Sequence, residues 1–308
     1  MSKQGWNKRN IPDLSGKVII VTGGNSGLGY ESVKAFAEKG AEVILASRSA
    51  SRGEEARASI LKDLPEAKIE MMTLDMADLE SVKAFSQEFK KKYYRLDVLM
   101  NNAGIMSTPY FRTRDGFEGQ MGTNHLGHFA LTAHLMDLLK KTKGARVVNV
   151  SSTAHKAGNM DFDNFLFEEG KGYSPMKAYG RSKLSNLLFT YELQRWFDEN
   201  GIEAIALAAH PGFSETKLVR YIDKKVAYRI FKPVVSLMAQ SAAMGALTQI
   251  RAAVDPDARG GEYYGPSGFA EMKGYPVRVK SNGKTHDREA ARKLWEVSEE
   301  LTGMTYKV

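Results

Sequence analysis

Apolar and polar positions along this chain fall into alternating short runs and helical repeats. "KVIIVTGG", Lys17 to Gly24, is a β-branched apolar run that ends in glycines. Val33, Phe36 and Ala37 then recur at helical spacing, Gly40 stops the repeat, and "AEVILAS" forms a second run. A strand, a helix and a strand in about 30 residues make a βαβ unit. Further candidate strands are "KIEMMTLD", "LDVLMNNAG", "ARVVNVSS", "IEAIALAAHPG" and "GGEYYG". Helical stretches are expected over Ser51–Leu64, Leu79–Tyr93, Asp115–Lys140, Met176–Glu199, Ser241–Val254 and Arg288–Leu301. Strands that are apolar throughout are covered on both faces. The pattern predicts one α/β domain: a Rossmann-type, doubly wound, mostly parallel sheet of about seven strands with helices on both faces.

Ligands of such sheets sit beyond the carboxyl ends of the strands, so chemistry is expected there. After the first strand comes "TGGNSGLG", with Gly23, Gly27 and Gly29 in a T-G-x-x-x-G-x-G spacing around Asn25, Ser26 and Leu28. Glycines let the backbone approach a phosphate, and the following helix offers free N–H groups and its positive dipole end. The second strand ends in Ser47 and Arg48. A ribose 2′-hydroxyl usually meets an acidic residue at this point, whereas a guanidinium grips a 2′-phosphate. NADP(H) is therefore expected rather than NAD(H). Arg52 faces either solvent or the same phosphate.

Tyr179 and Lys183 share a helix face at i and i+4. Tyrosine, with an ordinary pKa of about 10, is a poor base at neutral pH. A cation about 4 Å away would lower it by roughly 3 pKa units. The pair is by itself either an ordinary helical pair or an acid–base centre, and in the second case Tyr179 is expected to titrate low.

The ordered motifs "TGGNSGLG", "LDMAD", "NNAG", "TNHLGH", "VVNVSS", "YGRSK" and "HPG" resemble the short-chain dehydrogenase/reductase family. The likeness runs from Leu14 to about Val254 and more loosely to the end. "GHFALT" and "SKLSNLLF" look most like its retinol-dehydrogenase-like branch. The resemblance implies a catalytic set of Asn124, Ser152, Tyr179 and Lys183, with Ser151 as the competing serine. Asn124 would kink its helix and hold a water in a proton relay. Tyr179 and Lys183 would also border the cofactor, Lys183 through the nicotinamide ribose. Asp75 and Met76 would flank the adenine, and Asn102, Ala103 and Gly104 would lie along the cofactor. Pro211, Gly212 and Thr216 would lie near the nicotinamide. His125 and His128 have metal-like spacing but no third ligand, so no metal is expected.

The implied halves are a cofactor-binding part at 14–110 and a catalytic and substrate part at 111–260, followed by a strand and a helix at 261–308. Residues 213–238 read as a substrate lid, with a peripheral membrane face as the competing reading. With Ile105 to Phe111 they suggest a hydrophobic aldehyde, ketone or alcohol. Ser152 and Tyr179 stand roughly twice as far apart as is common in the family. The extra segment, His155 to Met176, is expected to border the substrate mouth.

Composition narrows the rest. The 308 residues include no cysteine, which excludes disulfides, zinc–thiolate sites and cysteine nucleophiles. The net charge of +8 comes with no nucleic-acid-binding module, so nucleic acid is not an expected partner. No signal peptide or membrane-spanning run is legible, and a soluble, cytoplasmic protein is expected. The two long helices suggest a homodimer or homotetramer. An inactive NADP(H)-sensing protein on the same fold is the competing functional reading; the intact Ser–Tyr–Lys–Asn set speaks against it.

Overall fold

The strand pattern splits each apolar run between two cores. Ile20, Ile44, Leu99 and Val147 face one side, packed with Phe85, Phe89, Phe129 and Phe189. Their neighbours Ile19, Val21, Val43, Leu45, Val98 and Val148 face the other, with Val33, Phe36, Ile60 and Ile250. Successive side chains of a strand point to opposite faces, so a strand buried on both faces must be apolar at every position.

The structure, a computed structural model, describes residues 5–213 and 240–307. Its strands are β1 (Val18–Thr22), β2 (Glu42–Ser47), β3 (Ile69–Thr73), β4 (Val98–Asn101), β5 (Arg146–Val150), β6 (Ile205–Ala209), β7 (Tyr263–Pro266) and β8 (Pro276–Val279). They form one sheet in the order β3-β2-β1-β4-β5-β6-β7-β8. The neighbours are parallel up to β7, and β8 returns antiparallel at the edge. The sheet therefore has eight strands where the sequence indicated about seven.

Helices α1 (Gly27–Glu38), α2 (Ala50–Asp63) and α8 (Ala242–Val254) lie on one face. On the other lie α3 (Leu79–Lys92), α5 (Gly127–His134), α6 (Met136–Lys141) and α7 (Pro175–Glu199). The expected Asp115–Lys140 helix is broken. It begins as α4 (Gly119–Met121), runs through a π-helical turn at Gly122–Leu126 into α5, and breaks again at Leu135. The C-terminal helix α9 (Arg288–Thr302) packs on the outside of α7 and α5. Trp295 meets Phe129 and Phe189, and the Tyr306 hydroxyl donates to the Phe129 carbonyl at 2.9 Å. Among the described residues no helix is long and apolar enough to cross a membrane.

Chain order reverses between β1 and β4, which opens a crevice at their carboxyl ends. Every candidate site residue that the structure describes lies along that edge or on the helices beside it.

Candidate active site

The crevice begins at the glycine turn after β1. Gly23 and Gly27 have left-handed backbones, with φ of 67° and 55°. A Cβ on Gly29 would come within 2.3 Å of the Gly23 carbonyl oxygen, so only glycine lets α1 start this close to β1. Ser26, the residue before α1, makes no side-chain cap, which leaves the first helical N–H groups available to an anion. Gly23, Asn25, Ser26, Gly27, Leu28 and Gly29 line one wall. Arg48 and Arg52 project from the end of β2 and the start of α2. Neither has a carboxylate partner within salt-bridge distance among the described residues. Asp75 and Met76 follow β3, and Asn102, Ala103 and Gly104 follow β4. This donor set fits a dinucleotide: a glycine turn with free helical N–H groups and two guanidiniums on the same wall.

Several of these residues also hold the fold. The Asp75 carboxylate accepts the Ala77 N–H at 3.0 Å. The Asn102 amide donates to the Thr22 carbonyl and accepts from Gln249, while the Thr22 hydroxyl accepts the Asn102 and Ala103 N–H groups. Asn101, just inside, bonds Asn149 across the strands. The bracing of β1, β4 and β5 by "NNAG" is thus shared between both asparagines.

The crevice continues into a second cavity of about 290 Å³, which shares Leu28, Asn102, Gly104 and Met106 with the first. Ser152, Tyr179, Lys183, Pro211, Gly212 and Phe213 line it. Ser152 caps the short 3-10 turn Thr153–Ala157, and its hydroxyl accepts the Ala154 N–H at 3.2 Å. It lines the same cavity as the Tyr179 phenol. Ser151 turns the other way and donates to the Lys183 carbonyl at 2.8 Å, so Ser152 is the serine beside the tyrosine. Lys183 lies on the same face of α7, its Nζ 5.7 Å from the centre of the Tyr179 ring.

The electrostatics differ from the sequence expectation. Burial pushes the Tyr179 phenol up to about 12, and the neighbouring Ser152 hydroxyl opposes the shift. Burial brings the Lys183 amine down to about 8. The ammonium donates to the Val150 carbonyl at 2.9 Å and does not lower the phenol as a cation at 4 Å would. Desolvation acts on both groups in favour of their neutral forms.

Asn124 is fully buried in the π-helical turn. Its amide bonds the Ile105 backbone in both directions, at 2.8 and 3.0 Å, and donates to the Ser182 hydroxyl. The turn supplies the helix distortion expected at this residue. His125 and His128 diverge: one pairs with Ser298, the other with Thr22 and the Asn124 carbonyl. Among the described residues no cluster of potential metal ligands occurs. Thr216, and the expected lid beyond Phe213, lie outside the described residues.

The His155–Met176 segment does not line the catalytic cavity. It packs on α7 and on the Ile105–Phe111 stretch, where Tyr173 donates to the Thr108 carbonyl at 2.7 Å. Arg181, two residues beyond Tyr179, holds it from within. The motif reading passed over Arg181, along with Glu271 and Met272, which complete the cavity wall from the turn between β7 and β8.

The sheet order, the glycine turn and the Ser–Tyr–Lys edge together define a dinucleotide-binding oxidoreductase fold. The short chain dehydrogenase model matches residues 17–165, and the chain belongs to the short-chain dehydrogenase/reductase family, in its retinol-dehydrogenase-like branch. Retinol dehydrogenase 12 of Homo sapiens is 38% identical over 300 residues, covering 97% of this chain and 90% of that protein. The WW domain-containing oxidoreductase of Gallus gallus is also 38% identical, over 94% of this chain and 69% of its own length. A crystal structure from Mycobacterium paratuberculosis superposes with a TM-score of 0.83 at 37% identity, covering 99% of this chain and 100% of that one. The Pseudomonas aeruginosa RhlG/NADP active-site complex, at 21% identity and a TM-score of 0.64 over 82% and 94% of the two chains, shares the fold.

Proposed function

We propose that this chain is an NADP(H)-dependent oxidoreductase that interconverts a hydrophobic carbonyl compound and its alcohol. The observation that carries the reading is that Ser152, Tyr179 and Lys183 together line a mostly apolar cavity that opens into the glycine-lined crevice. The nicotinamide, when bound, supplies or receives the hydride. The glycine turn and the start of α1 hold the pyrophosphate. Asp75 and Met76 border the adenine, and Asn102 to Gly104, Pro211 and Gly212 border the nicotinamide end. Tyr179, protonated throughout the neutral range, gives its proton to the carbonyl oxygen as charge develops there, and takes it back in alcohol oxidation. Ser152 donates to the same oxygen and orients it. Lys183 holds the ribose hydroxyls and places positive charge beneath the phenol, and Asn124 holds the strand-to-helix corner in register with them. Leu28, Met106, Val150, Phe213 and Met272 give the cavity its apolar walls. Relatives named retinol dehydrogenases agree with an apolar alcohol or aldehyde. An NADPH-oxidation screen across aldehydes and ketones tests the reading; no turnover with any of them would overturn it.

Arg48 and Arg52 support the phosphorylated cofactor. Replacing Arg48 by Asp removes a phosphate grip and places a carboxylate beside the 2′-phosphate. A full unit repulsion at 4 Å would be about 4 kcal/mol at an effective dielectric of 20, and the exposure of this side chain reduces it. The NADPH-to-NADH ratio of kcat/KM is expected to fall by roughly 100-fold. A ratio within threefold of the parent's would remove Arg48 from the cofactor site.

The pH dependence follows from Lys183. Raising the pH through about 8 takes away its charge, while the phenol stays protonated. In carbonyl reduction kcat/KM, which reports the free enzyme, is expected to be level in the neutral range and to fall above about pH 8. Lys183→Arg should move that limb upward. A parent profile with no fall near 8 contradicts the role.

A further inference from the structure

The turn between β7 and β8 brings an acid into the catalytic cavity. Ala270 and Glu271 both adopt left-handed backbone, with φ of 50° and 57°, which residues other than glycine hold only where their surroundings enforce it. The surroundings here do so. Phe213 N–H donates to the Met272 carbonyl at 2.8 Å. Gln240 reaches both sides, donating to the Pro211 carbonyl at 2.7 Å and accepting Gly274 N–H at 3.1 Å. A Cβ on Gly212 would lie 2.4 Å from the Met272 oxygen and 2.9 Å from that of Glu271. The turn is clamped to the segment that follows β6.

Glu271 thereby joins Ser152, Tyr179 and Lys183 in lining one cavity. Its Oε2 lies 2.9 Å from His210 Nε2. The His210 ring is fully buried against Gly265, where a Cβ would come within 2.1 Å of Nε2. Gly212 N–H donates to His210 Nδ1 at 3.3 Å, which leaves the ring proton on Nε2, facing the carboxylate. The two atoms are close but poorly aligned, and neither has a well-formed hydrogen bond. His210 beside it, with Lys156 and His155, holds the Glu271 carboxyl below its ordinary range, so the group is an anion at neutral pH. Oε2 is shut away, which leaves Oε1 to meet a ligand. Oε1 is 3.7 Å from Lys156 Nζ, a half-exposed contact that neutralises little. The side chain itself is 24% exposed. An acceptor-only group thus stands in the same cavity as the apolar side chains of Leu28, Met106, Phe213 and Met272.

We propose that Glu271 is a specificity-determining residue: it accepts a hydrogen bond from a hydroxyl or ammonium group that the substrate carries away from its reacting carbonyl, and it excludes substrates with a carboxylate there. This rests on the reading of the cavity as a carbonyl site. A site built around a charged acceptor rewards a donor and penalises an anion, and the discrimination is a difference between two substrates rather than an overall rate.

The test compares 4-(hydroxymethyl)benzaldehyde with 4-carboxybenzaldehyde, by NADPH-dependent kcat/KM and by calorimetric Kd to the protein with NADP+. The unmodified protein is expected to prefer the hydroxymethyl compound, and Glu271→Gln to shrink that preference about tenfold. Lys156→Gln, which removes the neighbouring cation, should widen it about twofold. A preference ratio that Glu271→Gln leaves within twofold, an effect confined to the KM for NADPH, or no binding of either aldehyde overturns the proposal. If neither aldehyde turns over but the Kd ratio still follows Glu271, the specificity role stands and the hydride-transfer reading falls.

Discussion

Tyr179→Phe is expected to lower kcat by about 10³-fold, within the range for loss of a general acid–base, while NADPH affinity changes by less than about threefold. The substitution removes one oxygen. The ring keeps its place on α7, and the glycine turn and Arg48 stand at the far end of the crevice. Ser152 keeps its bond from Ala154 N–H, so the 3-10 turn should persist. Stability should change little, since phenylalanine keeps the buried ring and its volume. Single-turnover kinetics with NADPH, alongside NADPH titration by fluorescence, separate chemistry from binding. Turnover within tenfold of the parent's would show that another group carries the proton.

The largest stability effect is expected at Arg181. Its guanidinium is 0% exposed, inside the His155–Met176 segment. Nε donates to the Asn159 carbonyl at 3.2 Å, and Nη1 donates to those of Asn164 and Phe165 at 2.6 and 2.8 Å. The guanidinium carbon lies 4.0 Å from the centre of the Phe167 ring. Burial lowers the guanidinium's pKa, and Asp161 opposes this from 3.5 Å. Arg181→Met fills much of the volume but leaves the Asn159 and Phe165 carbonyls without a donor, while that of Asn164 keeps the Phe167 N–H at 3.3 Å. At roughly 1–3 kcal/mol for each buried group left unpaired, partly offset where water reaches them, a loss of about 3 kcal/mol is expected. Tm should drop by about 5–10 °C, and limited proteolysis should cut first within 159–173. Arg181→Lys should recover only part, because an ammonium cannot serve three divergent acceptors. A Tm within 1 °C of the parent's would mean that the segment is held by other contacts.

What the sequence reveals here follows from how local each signal is. β1, β2, β4, β5 and β6 are legible because burial on both faces forces continuous apolar runs, and the edge strand β3 because it keeps Ile69, Met71 and Met72. The glycine turn is legible because each glycine answers a local steric need. Tyr179, Lys183 and Ser152 stand where their motifs put them. β8 leaves no such mark: "PVRV" is four residues at an edge, with Arg278 turned to solvent and paired with Glu262. The break at Leu135 and the late start at Gly119 lie inside an apolar repeat that continues across them. The protonation of the Tyr–Lys pair is not legible because i, i+4 spacing fixes a shared face but not the direction of the ammonium, which the Val150 carbonyl decides. Glu271 and Arg181 act through contacts far along the chain, with His210 in one case and Asn159 to Phe165 in the other. Neither contact leaves a periodic trace.

The π-helical turn at Gly122–Leu126 amounts to one surplus residue within a helix. Each residue of an α-helix turns the chain by about 100°. Without the surplus, Asn124 could not point at Ile105 while Phe129 and Leu131 remain in the core. The turn separates two halves of one helix: upstream it is set by the strand-end corner, downstream by the sheet face. Deleting any one residue between Gly122 and Leu126 would restore a regular helix with its two halves still in phase, but would withdraw the bulge that turns Asn124 towards Ile105. Lengths along this stretch are therefore under tighter constraint than the identities of most side chains in it.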